Sequence, residues 1–298
     1  MKWALRLTPI DALLLLLVVI WGGNFSVIKV SIAEIPPLGF NVLRLVVATA
    51  ALLVALGVVR AGAPARRDWR PLLTLGLGLG CYQLSFVTGL ARTTATNSAV
   101  ILGCLPVAVL LLNAVSRQRE QVSWLQWAGV ALAFIGVYLV VGAGAVANAA
   151  TLGGDLMIVI SLWCWAWYTV GSRGVLTRYS PLQVTTYAMI VCTVFLLPTG
   201  IPDLVRLDWS RVNGWAWVAT VASGVLALSV SHIIWYTGVQ RLGSTRTSIY
   251  SNLVPAAAMT VAALWLREPI GWMNASGAAL VLGGLLLTRI ERTEAVNA

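Results

Sequence analysis

Ten apolar runs, each long enough to cross a bilayer, succeed one another along the 298-residue chain. They fall at about 11–32, 37–59, 71–91, 95–115, 122–142, 153–173, 181–201, 212–240, 245–266 and 270–289. A spanning helix needs roughly 20 consecutive apolar residues. Only helices and closed barrels satisfy their own backbone groups in hydrocarbon, and these runs are too long and too little alternating for barrel strands. The expected fold is therefore an all-α membrane protein with ten transmembrane helices. The eighth run is long and is expected to open with an interfacial stretch around Trp215 and Trp217. Composition agrees: 59% of the residues are hydrophobic and 10% charged, against about 25% charged in soluble domains.

The placement of charge sets the topology. The net charge is +10, but the Arg residues stand singly between apolar runs rather than on one face or tail, so a nucleic-acid partner is not expected. With the N-terminus inside, the inner segments hold Lys2, Arg6, Arg60, Arg66, Arg67, Arg70, Arg117, Arg119, Arg173, Arg178, Arg241, Arg246, Arg289 and Arg292. The outer segments hold only Arg92, Arg206, Arg211 and Arg267. By the positive-inside rule both termini face the cytoplasm. The start of the chain, Lys2 and Arg6 before an apolar run, has the outline of a signal peptide. The run passes Trp21-Gly22-Gly23-Asn24 without a small-x-small cleavage site, so it is read as the first span. Cys81, Cys104, Cys164 and Cys192 all lie in apolar runs and form no C-x-x-C pair, which points to small packing groups rather than a disulfide or metal framework.

The chain also repeats itself. Leu102-Gly103-Cys104-Leu105-Pro106 matches Ser251-Asn252-Leu253-Val254-Pro255 at a shift of 149 residues. The same shift pairs Gln83 with His232, Phe86 with Trp235, Gly89 with Gly238 and Arg92 with Arg241. Asp11, Trp21 and Lys29 find counterparts in Asp155, Trp165 and Arg173. Residues 1–145 and 150–290 are thus expected to be two five-helix repeats. Five is odd, so the second copy enters the membrane from the opposite side. Inverted-topology repeats enclosing a central cavity are the architecture of alternating-access carriers.

Several stretches resemble the EamA-type branch of the drug/metabolite transporter superfamily. They are Trp21-Gly22-Gly23-Asn24-Phe25 with Lys29, then Arg44, then Gly154-Asp155-Leu156 with Trp165-Ala166-Trp167-Tyr168, and finally Glu268-Pro269-Ile270 with Gly277 and Gly284. The likeness covers nearly the whole chain and is nearest to bacterial aromatic amino-acid exporters. It implies a ten-helix inner-membrane carrier, with spans 1, 3, 4, 6, 8 and 9 around the cavity and spans 5 and 10 more peripheral. The function expected from it is export of aromatic and other neutral amino acids, or related amphipathic metabolites. A lipophilic-cation carrier is the alternative, and the lack of a mid-span Asp or Glu weighs against it.

Polar groups inside a membrane bundle are expensive unless paired or wet, which makes them the candidates for solute contact. His232 is the only histidine and falls mid-span opposite Gln83 in the repeat. Tyr82 with Phe86, Trp163 with Trp167, and His232 with Tyr236 are each four residues apart and share a helix face. With Tyr168, Trp235 and Tyr250 they form an expected aromatic lining, against the plainer reading that each merely packs or faces lipid. Asn24, Asn97, Ser98, Ser231 and Asn252 are small polar groups at matching depths, suited to a carboxylate or an amine or simply to helix–helix bonding. Lys29 and Arg44 are the charges within spans, and Arg44 is read as structural or gating. Pro106 and Pro255 are expected inside spans 4 and 9 as paired bends or hinges. No phosphate-binding loop, metal-spaced cluster or Ser/His/Asp set occurs. A protein that is not an enzyme, without cofactor or metal, is expected; its partners would be the solute and membrane lipid, and a monomer suffices.

Overall fold

The computed structural model describes residues 8–93, 98, 101–116, 124–141 and 152–257, with isolated positions between 260 and 287. Asn97, Glu120 and Glu268 lie outside the described residues, as do most of the tenth run and the side chain of Lys29. Among the described residues every regular element is helical. The helices are α1 Pro9–Ile32, α2 Pro37–Val59, α3 Trp69–Leu90, α4 Leu105–Val115, α5 Trp124–Val141, α6 Leu152–Gly171, α7 Pro181–Arg206, α8 Gly214–Leu242 and α9 Ser244–Tyr250. Four helical stretches, Pro37–Val59, Arg66–Leu90, Pro181–Arg206 and Gly214–Leu242, are long and apolar enough to cross a membrane.

Local chemistry sets the boundaries. Proline opens α1, α2 and α7, where a missing N–H costs nothing because first-turn donors have no intrahelical acceptor. Thr8 with Asp11 and Ser180 with Gln183 form capping boxes at the starts of α1 and α7. Asn213 caps α8, its side-chain oxygen accepting from the Ala216 amide at 2.9 Å. That cap makes Trp215 and Trp217 part of one 29-residue helix. Both indoles are exposed on its first turn.

Two prolines sit differently from the expectation of kinks inside continuous helices. Pro106 is in the first turn of α4, after a turn at Gly103–Cys104 that interrupts the helix from Ile101. Pro255 follows a 3-10 turn at Ser251–Leu253 and opens the helical residues 254–257. Each span is broken just before its proline, so the ring displaces no helix carbonyl.

Packing turns on α3, which lies against both α6 and α7. A methyl group built on Gly76 would come within 2.4 Å of Val191 Cβ and 2.8 Å of the Ala188 carbonyl. One built on Gly80 would come within 2.5 Å of the Phe195 ring. Gly76 and Gly80 are therefore an i, i+4 groove into which α7 fits, the small-residue contact that lets backbones approach in membranes. α8 meets α2 in the same way: Gly224 leaves no room for a Cβ beside the Arg44 carbonyl, 2.7 Å away. From Ser223 to Val230 α8 widens into π-helix. The Ser229 hydroxyl bonds both the Gly224 carbonyl of its own helix and the Ala48 carbonyl of α2, each at 3.1 Å.

One end of the bundle is tied by a charged cluster. Asp68 is buried between α2 and α3 and accepts from Arg178 at 2.6 Å and from the Tyr179 hydroxyl at 2.8 Å. Tyr179 in turn accepts from the Ala65 amide. At the other end Glu34, after α1, accepts from the backbone and side-chain N–H groups of Asn213.

The α3 groove sets a direct test. Gly76→Ala should destabilise the protein by about 1–3 kcal/mol through overpacking, read as a lower midpoint in thermal unfolding. Gly57→Ala meets nothing within 4 Å and should be neutral or slightly stabilising, since alanine favours helix over glycine.

Candidate solute site

The centre of the bundle is an aromatic cluster assembled from α1, α3, α6 and α8. Trp165 of α6 lies at its middle, 4% exposed. Its indole is 4.7 Å from the Tyr82 ring, 5.2 Å from Tyr168, 5.2 Å from His232, 5.5 Å from Trp235 and 5.6 Å from Trp21, between centroids. Tyr82 stacks on Phe86 at 5.7 Å, and Tyr168 stacks on Tyr236 at 4.8 Å. The edge-to-face and offset contacts are those aromatic quadrupoles favour.

Indole N–H groups fix the two large rings by reaching across helices. Trp21 Nε1 donates to the Ala227 carbonyl inside the π segment at 3.1 Å. Trp235 Nε1 donates to Thr169 Oγ1 at 3.1 Å. The rigid wall thus has its own polar needs met. Around it are groups whose needs are not met. The Ser231 hydroxyl, the Gln83 amide nitrogen and both side-chain polar atoms of Asn252 are buried with no hydrogen-bond partner, and the buried His232 ring has only the Ala227 carbonyl, already taken by Trp21, within reach. Buried polar atoms are paired almost everywhere in folded proteins. These groups lie on three elements, α8, α3 and the turn after α9, and the first two also carry rings of the cluster.

A second feature adjoins the cluster through α3. Arg44 of α2 is 2% exposed. Its Nε donates to Asn41 Oδ1 at 2.9 Å, and one terminal nitrogen donates to Gln83 Oε1 at 2.9 Å. The guanidinium carbon is 5.6 Å from the centre of the Phe40 ring. Among the described residues no carboxylate pairs with it.

Of the residues picked from the sequence, Tyr82, Phe86, Tyr168, His232 and Trp235 come together in the cluster. Gln83, Ser231 and Asn252 supply unpaired polar atoms, and Ser98 is buried on α4's side of the bundle. Asn24 is half-buried one turn beyond Trp21. Tyr250 is buried in the same core, its hydroxyl donating to Asp11 Oδ1 at 2.6 Å. Trp163 and Trp167 are not brought in. They are 42% and 40% exposed, because they lie about 200° around α6 from Trp165, at roughly 100° per residue. Trp167 instead covers Gly78 of α3 on the outer face.

The sequence reading missed Trp21 and Trp165 as site residues. The signal was present: the two had been matched to each other across the halves of the chain, and their indoles meet in space. For Arg44, read from the sequence as structural or gating, the sequence alone does not show whether an anion lies beside it; its side-chain bonds go to the neutral Asn41 and Gln83.

Apolar helices of spanning length around a buried, partly unsatisfied polar and aromatic centre define a multi-pass membrane carrier of small molecules. The EamA-like transporter family matches residues 8–142 and 152–290, and the chain belongs to that family. It is 31% identical to a probable terminal-alkyne amino-acid exporter of Streptantibioticus cattleyicolor, over 96% of this chain and 92% of that one. It is 27% identical to a probable amino-acid metabolite efflux pump of Salmonella typhimurium, over 96% of this chain and 97% of that one. An uncharacterised transporter of Bacillus subtilis, YyaM, is 28% identical over 89% of this chain and 88% of its own length. A solved crystal structure superposes with a TM-score of 0.79 at 18% identity, covering 94% of this chain and 98% of the other, so the two share a fold.

His232 separates a solute site from a structural one. The buried ring carries a desolvation cost, and its one acceptor, the Ala227 carbonyl, is already bonded to Trp21, so replacing it with an apolar group of similar size is close to neutral. His232→Leu should keep or raise the thermal midpoint while lowering transport. A loss of about 2 kcal/mol or more would instead mark His232 as a structural residue.

Proposed function

We infer that the chain exports amino acids, aromatic and other neutral ones, or related small amphipathic metabolites, across the bacterial inner membrane by alternating access and without ATP hydrolysis. The observation that carries this reading is the cluster around Trp165, His232 included, with unpaired polar atoms of Ser231 and Gln83 on the same two helices, α8 and α3. An aromatic wall takes an apolar side chain, and orphaned donors and acceptors take the polar end of the same molecule. The names of the amino-acid exporters and efflux pumps among the relatives point the same way.

The proposed frame is ten helices in two inverted five-helix repeats, 1–145 and 150–290, with both termini in the cytoplasm. The breaks before Pro106 and Pro255 are its proposed hinges. Helix ends freed there change direction without straining a hydrogen-bonded ladder. The proposed solute contacts are Tyr82, Phe86, Tyr168, Ser231, His232, Trp235 and Asn252, joined by Trp21 and Trp165.

A lipophilic-cation carrier is the second reading, since aromatic faces also accept cations. The guanidinium of Arg44 beside the cluster disfavours it. A cationic solute would meet a like charge in a medium of low dielectric constant.

Counterflow in proteoliposomes, with labelled phenylalanine, tryptophan, threonine and methionine and with or without a pH gradient, tests the reading. At least one should exchange. Trp165→Ala should lower the rate tenfold or more, while Trp163→Ala, on the outer face, should leave it within about twofold. Movement of lipophilic cations but of no amino acid would transfer the assignment to the second reading.

A further inference from the structure

The geometry points to a carboxylate anchor formed by Arg44 and Gln83, which makes a free carboxylate a requirement for the solute and its amino group dispensable. This rests on the transport reading above only for the identity of the solute; the anchor itself is a binding site with its own test.

Consider what a permanent cation at this depth demands. Arg44 is seven residues from the start of α2, and Gln83 is seven residues from the end of α3. At 1.5 Å per residue both sit about 10 Å inside the same end of the bundle. A guanidinium there is always charged and carries five donors in a planar fork. Two of its bonds go to neutral oxygens, Asn41 Oδ1 and Gln83 Oε1, each at 2.9 Å. Neutral acceptors offset part of the desolvation cost and none of the charge. A buried ion without a counter-ion is among the most expensive arrangements in a protein, and in membrane bundles it marks a functional site.

The orientation of Gln83 supplies the second observation. Arginine has no acceptor, so the Gln83 amide must turn its oxygen to Arg44 and its nitrogen away. That nitrogen is buried, in a side chain 1% exposed, and donates to nothing. One charged fork and one amide N–H therefore stand side by side with donors in excess. The chemistry that satisfies both is an anion with two or more lone-pair oxygens. A carboxylate fits the planar fork bidentately.

Position connects the anchor to the aromatic cluster. Tyr82 precedes Gln83 and lies on the Trp165 ring. A molecule whose carboxylate meets Arg44 and Gln83 therefore has an aromatic wall within the length of one amino acid. The Arg44 backbone is itself clamped by Gly224 at the π segment of α8, so the guanidinium is held by α2 and α3 while its main chain follows α8. Among the described residues no acid competes for the site.

The experiment uses the purified full-length protein in chloride-free buffer, with ligand-induced rise of the thermal midpoint as readout. The probes are phenylalanine, phenylacetate, phenylalaninamide and phenethylamine. Phenylalanine and phenylacetate should bind, and the amide and the amine should bind at least tenfold more weakly. Inorganic phosphate is added as a competing anion; displacement of phenylacetate by phosphate with matched affinity would make the site a general anion site and overturn the carboxylate assignment. Arg44→Gln should remove the preference, lowering carboxylate affinity tenfold or more with amine affinity unchanged. Arg44→Lys, which keeps charge and loses the fork, should fall between. A purely structural role for Arg44 would lower all four probes together. If Arg44→Gln does not fold, wild-type discrimination between phenylacetate and phenethylamine, and its reduction in Gln83→Leu, decide the point. Equal binding of acid and amide in the wild type overturns the anchor even where amino acids are transported. Arg44-dependent binding of phenylacetate with no amino-acid counterflow keeps the anchor and removes the transport reading.

Discussion

In lipid, two apolar helices gain little from touching, because acyl chains are as greasy as leucine. Association then depends on how closely backbones approach and on the hydrogen bonds the approach permits. In this protein that closeness is supplied by Gly76 and Gly80 of α3 against α7 and by Gly224 of α8 against α2. The other central features follow from it. α3 is drawn in far enough that Gln83 reaches Arg44 and Tyr82 reaches Trp165. α8 is drawn in far enough that Ser229 bonds a carbonyl of α2. Hydroxyls reinforce the seams, as where Thr49 of α2 and Thr193 of α7 meet at 2.7 Å.

The centre so formed is uneven in its satisfaction. The indole nitrogens of Trp21 and Trp235 have strong partners. Ser231, Asn252 and one end of Gln83 have none. A protein that only needed stability would place apolar groups at the second set of positions, since orphaned polar atoms weaken a low-dielectric interior. The satisfied groups hold the aromatic rings in place.

Much of this was legible in the sequence. Apolar runs located the helices, because lipid leaves the chain few alternatives. The matched pairs Gln83 with His232 and Phe86 with Trp235 drew attention to the correct depth. The facing of individual side chains was not legible. Trp163 and Trp167 share a face, as their spacing required, but it is the outer one; hydropathy cannot tell lipid from core when both are apolar. The glycine groove of α3 was overlooked because Gly-rich apolar runs read simply as span. The break before Pro106 and the π segment of α8 depend on contacts with other helices, and no local pattern encodes those.

The π segment has a consequence for how the span can change. A wide turn carries an extra residue per loop of backbone, so Ser223–Val230 sets the helical phase of everything after it. His232 and Trp235 meet Trp165 in that phase. Tightening the stretch to ordinary α geometry would rotate the following half of α8 as one piece, by about 100° for each residue of register regained. Such a rotation would carry the imidazole out of the cluster without altering the length, composition or hydropathy of the span. The π segment, packed beside the backbone of Arg44, therefore sets which face of α8 the aromatic cluster receives.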